Sequence, residues 1–167
     1  MKSRTKISWA DFTLNAWEGC TKVSAGCANC YAAVRNARNL QGPVSNWGPG
    51  APRRSMIDSA IGQLKSLNRR FGPDGDLKLM EDRNTLERWI PGKEPAPDTT
   101  GEVRVVRPQI FSLSLGDVLD REVPVELVAR WLAAIADAKN LEFLLLTKRP
   151  DRFDKAMGRA LDWASEK

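Results

Sequence analysis

All three cysteines of this 167-residue chain fall within eleven residues, as Cys20-x6-Cys27-x2-Cys30, and the chain has no histidine. An odd, clustered set cannot staple a fold, because a disulfide framework spreads an even number of cysteines along the whole chain. The protein must therefore fold around a hydrophobic core, and 42% hydrophobic residues in a chain of single-domain length are enough to build one. Three thiolates in one loop form a claw for a metal or a cluster. A closed structural zinc site takes four protein ligands, and no imidazole is present to supply the fourth. A 4Fe–4S cluster held by three cysteines leaves one iron without a protein ligand, open to a substrate or cofactor. The plain alternative is that these are packing thiols, since free cysteine behaves as a small hydrophobe. The cluster is the first reading; zinc and packing stand beside it.

The surrounding loop suits a ligand site. Gly19 precedes the first cysteine and Gly26 the second, where glycine lets the backbone curl tightly. Ser24 and Asn29 are turn formers. A helix is expected over Tyr31–Leu40, stopped by Gly42-Pro43. Cys27 and Cys30 then straddle its start, where the free amides and the helix dipole favour thiolate charge.

Strand and helix patterns alternate along the chain. A short strand is expected over 13–17, then a helix over Met56–Arg70 with Ser55 as its cap and Ile57, Ala60, Ile61, Leu64 and Leu67 on its apolar face. Residues 41–54 and 91–108 read as loops, with a single helical turn at Leu86–Trp89. Gln109–Leu115 reads as a buried strand, and Pro124 opens a helix carrying Leu127, Val128, Trp131, Leu132 and Ile135 on one face. Leu141–Leu146 is nearly all apolar, as a strand covered on both sides should be, and a last helix runs through Phe153, Met157 and Leu161.

This alternation predicts the α/β class: one domain over 1–167, a parallel sheet with flanking helices joined by right-handed crossovers. Only about three βα units fit, against eight in a closed barrel of about 250 residues, so the expectation is a partial (β/α) barrel. An incomplete parallel sheet leaves an edge, which predicts a homo-oligomer or a partner chain completing the sheet. Ligands of parallel sheets gather at the C-terminal strand ends. Cys20 follows the first strand, Gly116-Asp117 the second, and Thr147-Lys148-Arg149 the third, so all should converge on one rim.

The net charge of +5 permits an anionic partner. Arg53, Arg54, Lys65, Arg69 and Arg70 form the densest basic region. A solvated helix face accounts for most of it, and nucleic acid stays open as a partner on charge alone. No run of about eighteen apolar residues offers a membrane span. The basic start Met1–Lys6 is followed by no apolar signal core, so reduced thiols and a cytoplasmic location are expected.

The stretch Ile7–Tyr31, with its three cysteines, closely resembles the opening of a family of uncharacterised three-cysteine proteins encoded by bacteria and phages. Ile110–Asp117 with Val123–Glu126, and Leu144–Pro150, resemble later parts of it. Trp47–Arg54 resembles a piece found in some members. That family looks like an outlying branch of the radical S-adenosylmethionine enzymes, whose widespread motif is C-x3-C-x2-C. The first spacer here is three residues longer. The resemblance implies that Cys20, Cys27 and Cys30 hold a 4Fe–4S cluster and that its open iron takes S-adenosyl-L-methionine. One-electron cleavage would then give methionine and a deoxyadenosyl radical, acting on an unknown substrate. It further implies that Asp117 stands for the acidic residue holding the methionine amino group, and that Thr147, Lys148 and Arg149 take the carboxylate. The plainer readings are a turn-forming Asp117 or Asp120 and a solvated strand end at 147–149. Trp17 and Tyr31 are placed in the core or over the cluster. The resembled family is longer, so the chain looks like its N-terminal part. The alternative class is a zinc-stabilised module that binds nucleic acid or another protein without catalysis.

Overall fold

The computed structural model describes residues 5–38, 46–72, 80–81, 88–89 and 107–165. β1 (Phe12–Leu14) buries Phe12 and Leu14 on one face and leaves Thr13 half-buried on the other, as the two-residue period of a strand requires. After Asn15 and Ala16 the chain turns into β2 (Trp17–Glu18), which pairs antiparallel with β3 (Arg54–Ser55). The strand expected over 13–17 is therefore split in two. The break is used: Asn15 Oδ1 accepts hydrogen bonds from Ser114 Oγ at 3.2 Å and from Leu115 N at 2.9 Å.

A single 3-10 turn at Ala25–Cys27 leads into α1 (Tyr31–Arg38). α2 (Ile57–Arg70) buries Ile57, Ala60, Leu64 and Leu67, the face its sequence spacing predicts, with Ile61 packed alongside. Ser55 does not cap it. Ser55 lies in β3, Met56 takes the cap position, and the Ser55 hydroxyl reaches only Ile57 N at 3.5 Å. A small ladder joins β4 (Met80–Glu81) to β5 (Arg88–Trp89), so Arg88 and Trp89 are extended and not in a helical turn. The loop expected over 91–108 lies outside the described residues except for Arg107 and Pro108, as do 41–45 of the earlier one.

β6 (Gln109–Ser112) is the central strand. It runs parallel to β1 on one side and to β7 (Glu142–Leu145) on the other, with Leu14 opposite Ser112 and Ser112 opposite Leu145. α3 (Val125–Asp137) packs against α2 and α4 (Phe153–Ser165). Its Trp131 is fully buried and Nε1 donates to Ser112 Oγ at 2.9 Å, which satisfies both polar groups inside the core. Phe111 points to the opposite face and meets Trp9, with ring centroids 4.7 Å apart. The architecture is thus a three-stranded parallel sheet flanked by helices, open and not closed into a barrel.

Two burial expectations are corrected. β7 is an edge strand, not one covered on both sides: Leu145 is 37% exposed and Leu146 50%. On α4 the inward stripe is Ala156, Ala160 and Trp163, while Phe153 and Leu161 are 51% and 65% exposed. Both stripes obey helical spacing, and the small alanines let α4 come close to α3.

Candidate metal centre

The three strand ends meet as their order along the chain predicts. Beyond β1 and β2 the backbone runs between two others. Gly19 bridges Gly116 on one side and Cys20 bridges Trp47 on the other, with Gly19 N donating to Leu115 O at 3.0 Å and Gly48 N to Cys20 O at 3.0 Å. Gly19 must be glycine. Its φ is +123°, and a Cβ there would lie 2.3 Å from Asn46 O. Gly116 is nearly as confined, because a Cβ would meet the Trp17 indole at 3.0 Å. Trp17 itself is core, fully buried, and its Nε1 has no partner.

Arg149 joins the third strand end to the first. Its guanidinium is buried. Nη1 donates to Asp117 Oδ2 at 2.8 Å and to Cys20 Sγ at 3.5 Å, and Nη2 donates to Thr21 O at 2.6 Å. Asp117 accepts four hydrogen bonds, two on each oxygen. Leu119 N and Thr147 Oγ1 reach Oδ1 at 2.8 Å each; Lys148 N at 3.0 Å and Arg149 Nη1 reach Oδ2. The structure therefore brings Asp117, Thr147 and Arg149 into one knot, and directs them to each other and to the cysteine loop. Lys148 alone of the four predicted cofactor contacts is exposed. Its Nζ lies 3.5 Å from where a Cβ would stand on Gly26, next to Cys27.

A second layer lies behind this knot. Arg53 Nε donates to Asp120 Oδ2 at 2.9 Å, and Nη2 donates to Thr21 Oγ1 at 2.7 Å and Glu122 Oε2 at 3.1 Å. The Arg53 and Asp120 side chains are each 1% exposed. Gly50 N donates to Glu122 Oε2 at 2.9 Å, so the 46–54 stretch is strapped across Cys20 and Thr21. Glu18, also buried, accepts from Asn36 Nδ2 at 3.3 Å, from Arg35 and from Arg54, and so fastens α1, whose start carries Cys30. Sequence reading missed Arg53, Asp120, Glu122, Thr21 and Glu18 as a set, because partners 18 to 69 residues apart leave no local pattern. It also counted Arg53 with Arg54 in a basic surface region, whereas Arg53 is spent inside; Arg54 does lie at the surface, paired with Glu18.

The cysteines differ. All three are free and partly buried. Burial pushes the Cys20 thiol up, against the pull of the Arg149 hydrogen bond and charge. Backbone hydrogen bonding at Val23 and Ser24 draws Cys27 down, with the Ser24 hydroxyl and the Lys148 charge adding to it. Cys27 closes the 3-10 turn, its N donating to Ser24 O at 3.0 Å, and Cys30 O accepts the first helical bond of α1, from Val34 N at 3.2 Å. Tyr31, expected in the core or over a cluster, is 59% exposed and donates from Oη to Ser114 O at 2.5 Å.

Among the described residues, no three histidine, cysteine, aspartate or glutamate side chains stand together as a metal grip. The donor set nonetheless fits a thiolate-held group. Three free thiols share one loop, cationic donors stand at both of its ends, and Lys22–Gly26 between them are exposed, so drawing the sulfurs together displaces little packing. Among the described residues no helix is long and apolar enough to cross a membrane.

Fold and site together define a parallel α/β protein with a cysteine loop at the C-terminal rim of its sheet. The chain matches, over residues 4–166, the family described as "Protein of unknown function (DUF5131)", and belongs to it. No curated protein and no solved structure matches the chain.

Proposed function

We propose that the protein binds an iron–sulfur cluster through Cys20, Cys27 and Cys30, and that this centre works with S-adenosylmethionine in the manner of the radical enzymes. The observation that carries the reading is the placing of a three-thiol loop at the C-terminal rim of a parallel sheet, backed by a buried Arg149 that donates to Cys20. Thiolates suit clusters, and the rim is where parallel sheets collect their ligands. A cluster bound there would supply one-electron chemistry, and three protein ligands would leave it one open position.

The chain's own residues bind and orient. Asp117 holds Arg149 and the Lys148 amide, and thereby places the Thr147–Arg149 turn over the loop. Lys148 keeps an exposed ammonium with donors to spare for an anionic cofactor group. Asp117 has its oxygens filled by protein donors, so its part is to position. Trp17 and Gly116 close the floor of the rim.

The test is anaerobic reconstitution with iron and sulfide, followed by paramagnetic resonance of the reduced protein with and without S-adenosylmethionine. The reading expects the cofactor to change the spectrum. A reduced cluster whose spectrum ignores the cofactor would refute the radical chemistry and leave a cluster protein of another kind.

A further inference from the structure

The sequence Thr147-Lys148-Arg149-Pro150 puts two cations side by side in the turn that follows β7, and they do not serve the same place. Arg149 is buried and turns back to the first cysteine, with Nη1 3.5 Å from Cys20 Sγ and Nη2 2.6 Å from Thr21 O. Lys148 is exposed and reaches the far end of the loop. Its Nζ is 3.5 Å from the position a Cβ would take on Gly26, the residue before Cys27. Both are set by one carboxylate: Asp117 Oδ2 accepts from the Lys148 amide at 3.0 Å and from Arg149 Nη1 at 2.8 Å. Oδ1 holds Thr147 at 2.8 Å, and Thr147 Oγ1 in turn accepts from Arg149 N at 2.9 Å, which stiffens the turn.

We infer that Lys148 and Arg149 are a two-point clamp that holds the two ends of the cysteine loop and balances the charge of its thiolates. The inference rests on the cluster reading given above and concerns residues of the chain, not the cofactor. The two side chains leave the Thr147–Arg149 turn toward different ends of the cysteine loop, Arg149 to Cys20 and Lys148 to Gly26, so one dipeptide can meet sulfurs that lie apart. Two neighbouring positive charges and an N–H donor on a ligand sulfur favour the more negative, reduced form of a thiolate-held cluster. The clamp therefore raises the reduction potential of whatever the loop holds. Arginine suits the inner place because one planar fork serves Cys20, Asp117 and Thr21 at once; lysine suits the outer one as a point charge.

The experiment measures iron and sulfide content and the midpoint potential of anaerobically reconstituted wild-type, Lys148→Gln, Arg149→Gln and Arg149→Lys proteins. The expected result is near wild-type iron in each, with a midpoint more negative in Lys148→Gln and more negative still in Arg149→Gln. Arg149→Lys should fall between wild type and Arg149→Gln, because the charge is kept while the planar fork that serves Cys20, Asp117 and Thr21 together is lost. Arg149→Gln leaves Asp117 short of its cation, while Asp120 keeps Arg53, so where it does not fold, Lys148→Gln and Arg149→Lys carry the test. Potentials unmoved in variants that keep full iron would overturn the clamp and leave the cluster standing. Wild-type protein that takes up no iron would instead overturn the cluster reading, and the inference with it.

Discussion

The two ends of the cysteine loop are built differently. Cys20 sits in a three-way backbone junction, with Gly116 and Trp47 on either side of the Gly19–Cys20 segment, and two buried arginines tie it and Thr21 into four strand and loop segments. Cys27 and Cys30 stand on a 3-10 turn and a helix start whose neighbours, Gly26, Ala28 and Asn29, are exposed. The long spacer separates a thiol fixed by the fold from a pair fixed mainly by local turns. A loop built this way lets the Cys27–Cys30 end move while Cys20 stays in place.

That contrast is most exposed to change at Asp117. Asp117→Ala removes the acceptor of four hydrogen bonds and leaves the Arg149 guanidinium short of its nearest carboxylate. Breaking a buried pair of this kind costs about 3–5 kcal/mol. Chemical denaturation should show a loss of that order, and a loss under about 1 kcal/mol would mean the knot is not what holds the Cys20 end. Gly116→Ala comes next. Its new methyl meets Trp17 at 3.0 Å and, by overpacking, should cost about 1–3 kcal/mol in the same measurement. An unchanged midpoint would show that Trp17 gives way and the floor of the rim is loose.

A chemical probe compares the two ends directly. The thiolate is the reactive form. Burial raises Cys20, while backbone hydrogen bonding lowers Cys27, so near neutral pH Cys27 holds the larger thiolate fraction. In metal-free, reduced protein Cys27 should react with iodoacetamide several-fold faster than Cys20, read by peptide mass spectrometry. The gap should narrow as pH rises through the Cys20 value, and vanish in urea. Equal rates in the folded protein would erase the distinction. The smallest effect is expected far from the rim. Leu161→Ser changes an exposed position on α4 and should move stability by no more than about 0.5 kcal/mol. A larger loss would place Leu161 in an interface the isolated chain does not show.

Much of the fold was legible because its signals are local. The apolar face of α2, the Pro124 start of α3 and the two apolar runs at β6 and β7 are periodicities a short window contains. The convergence of Cys20, Asp117 and Thr147–Arg149 followed from strand order alone. What periodicity cannot carry is which of two valid stripes turns inward, and α4 shows it: Phe153, Met157 and Leu161 have the spacing, but Ala156 and Ala160 have the size that fits against α3. Nor can it carry pairings across the chain. Arg53 looked like one cation in a basic stretch, and only the fold shows it spent on Asp120 and Glu122. The family resemblance implied a cofactor contact for Asp117; the fold shows the four protein donors its carboxylate already holds.

The central claim, that the cysteine loop holds an iron–sulfur cluster, is tested most directly by iron, sulfide and zinc analysis of anaerobically reconstituted protein and its three single Cys→Ala variants. The account predicts a brown wild-type protein with about four irons and about four sulfides per chain, and strong depletion in Cys20→Ala, Cys27→Ala and Cys30→Ala alike. A colourless protein carrying zinc, or a cysteine variant that keeps the full iron content, would contradict it.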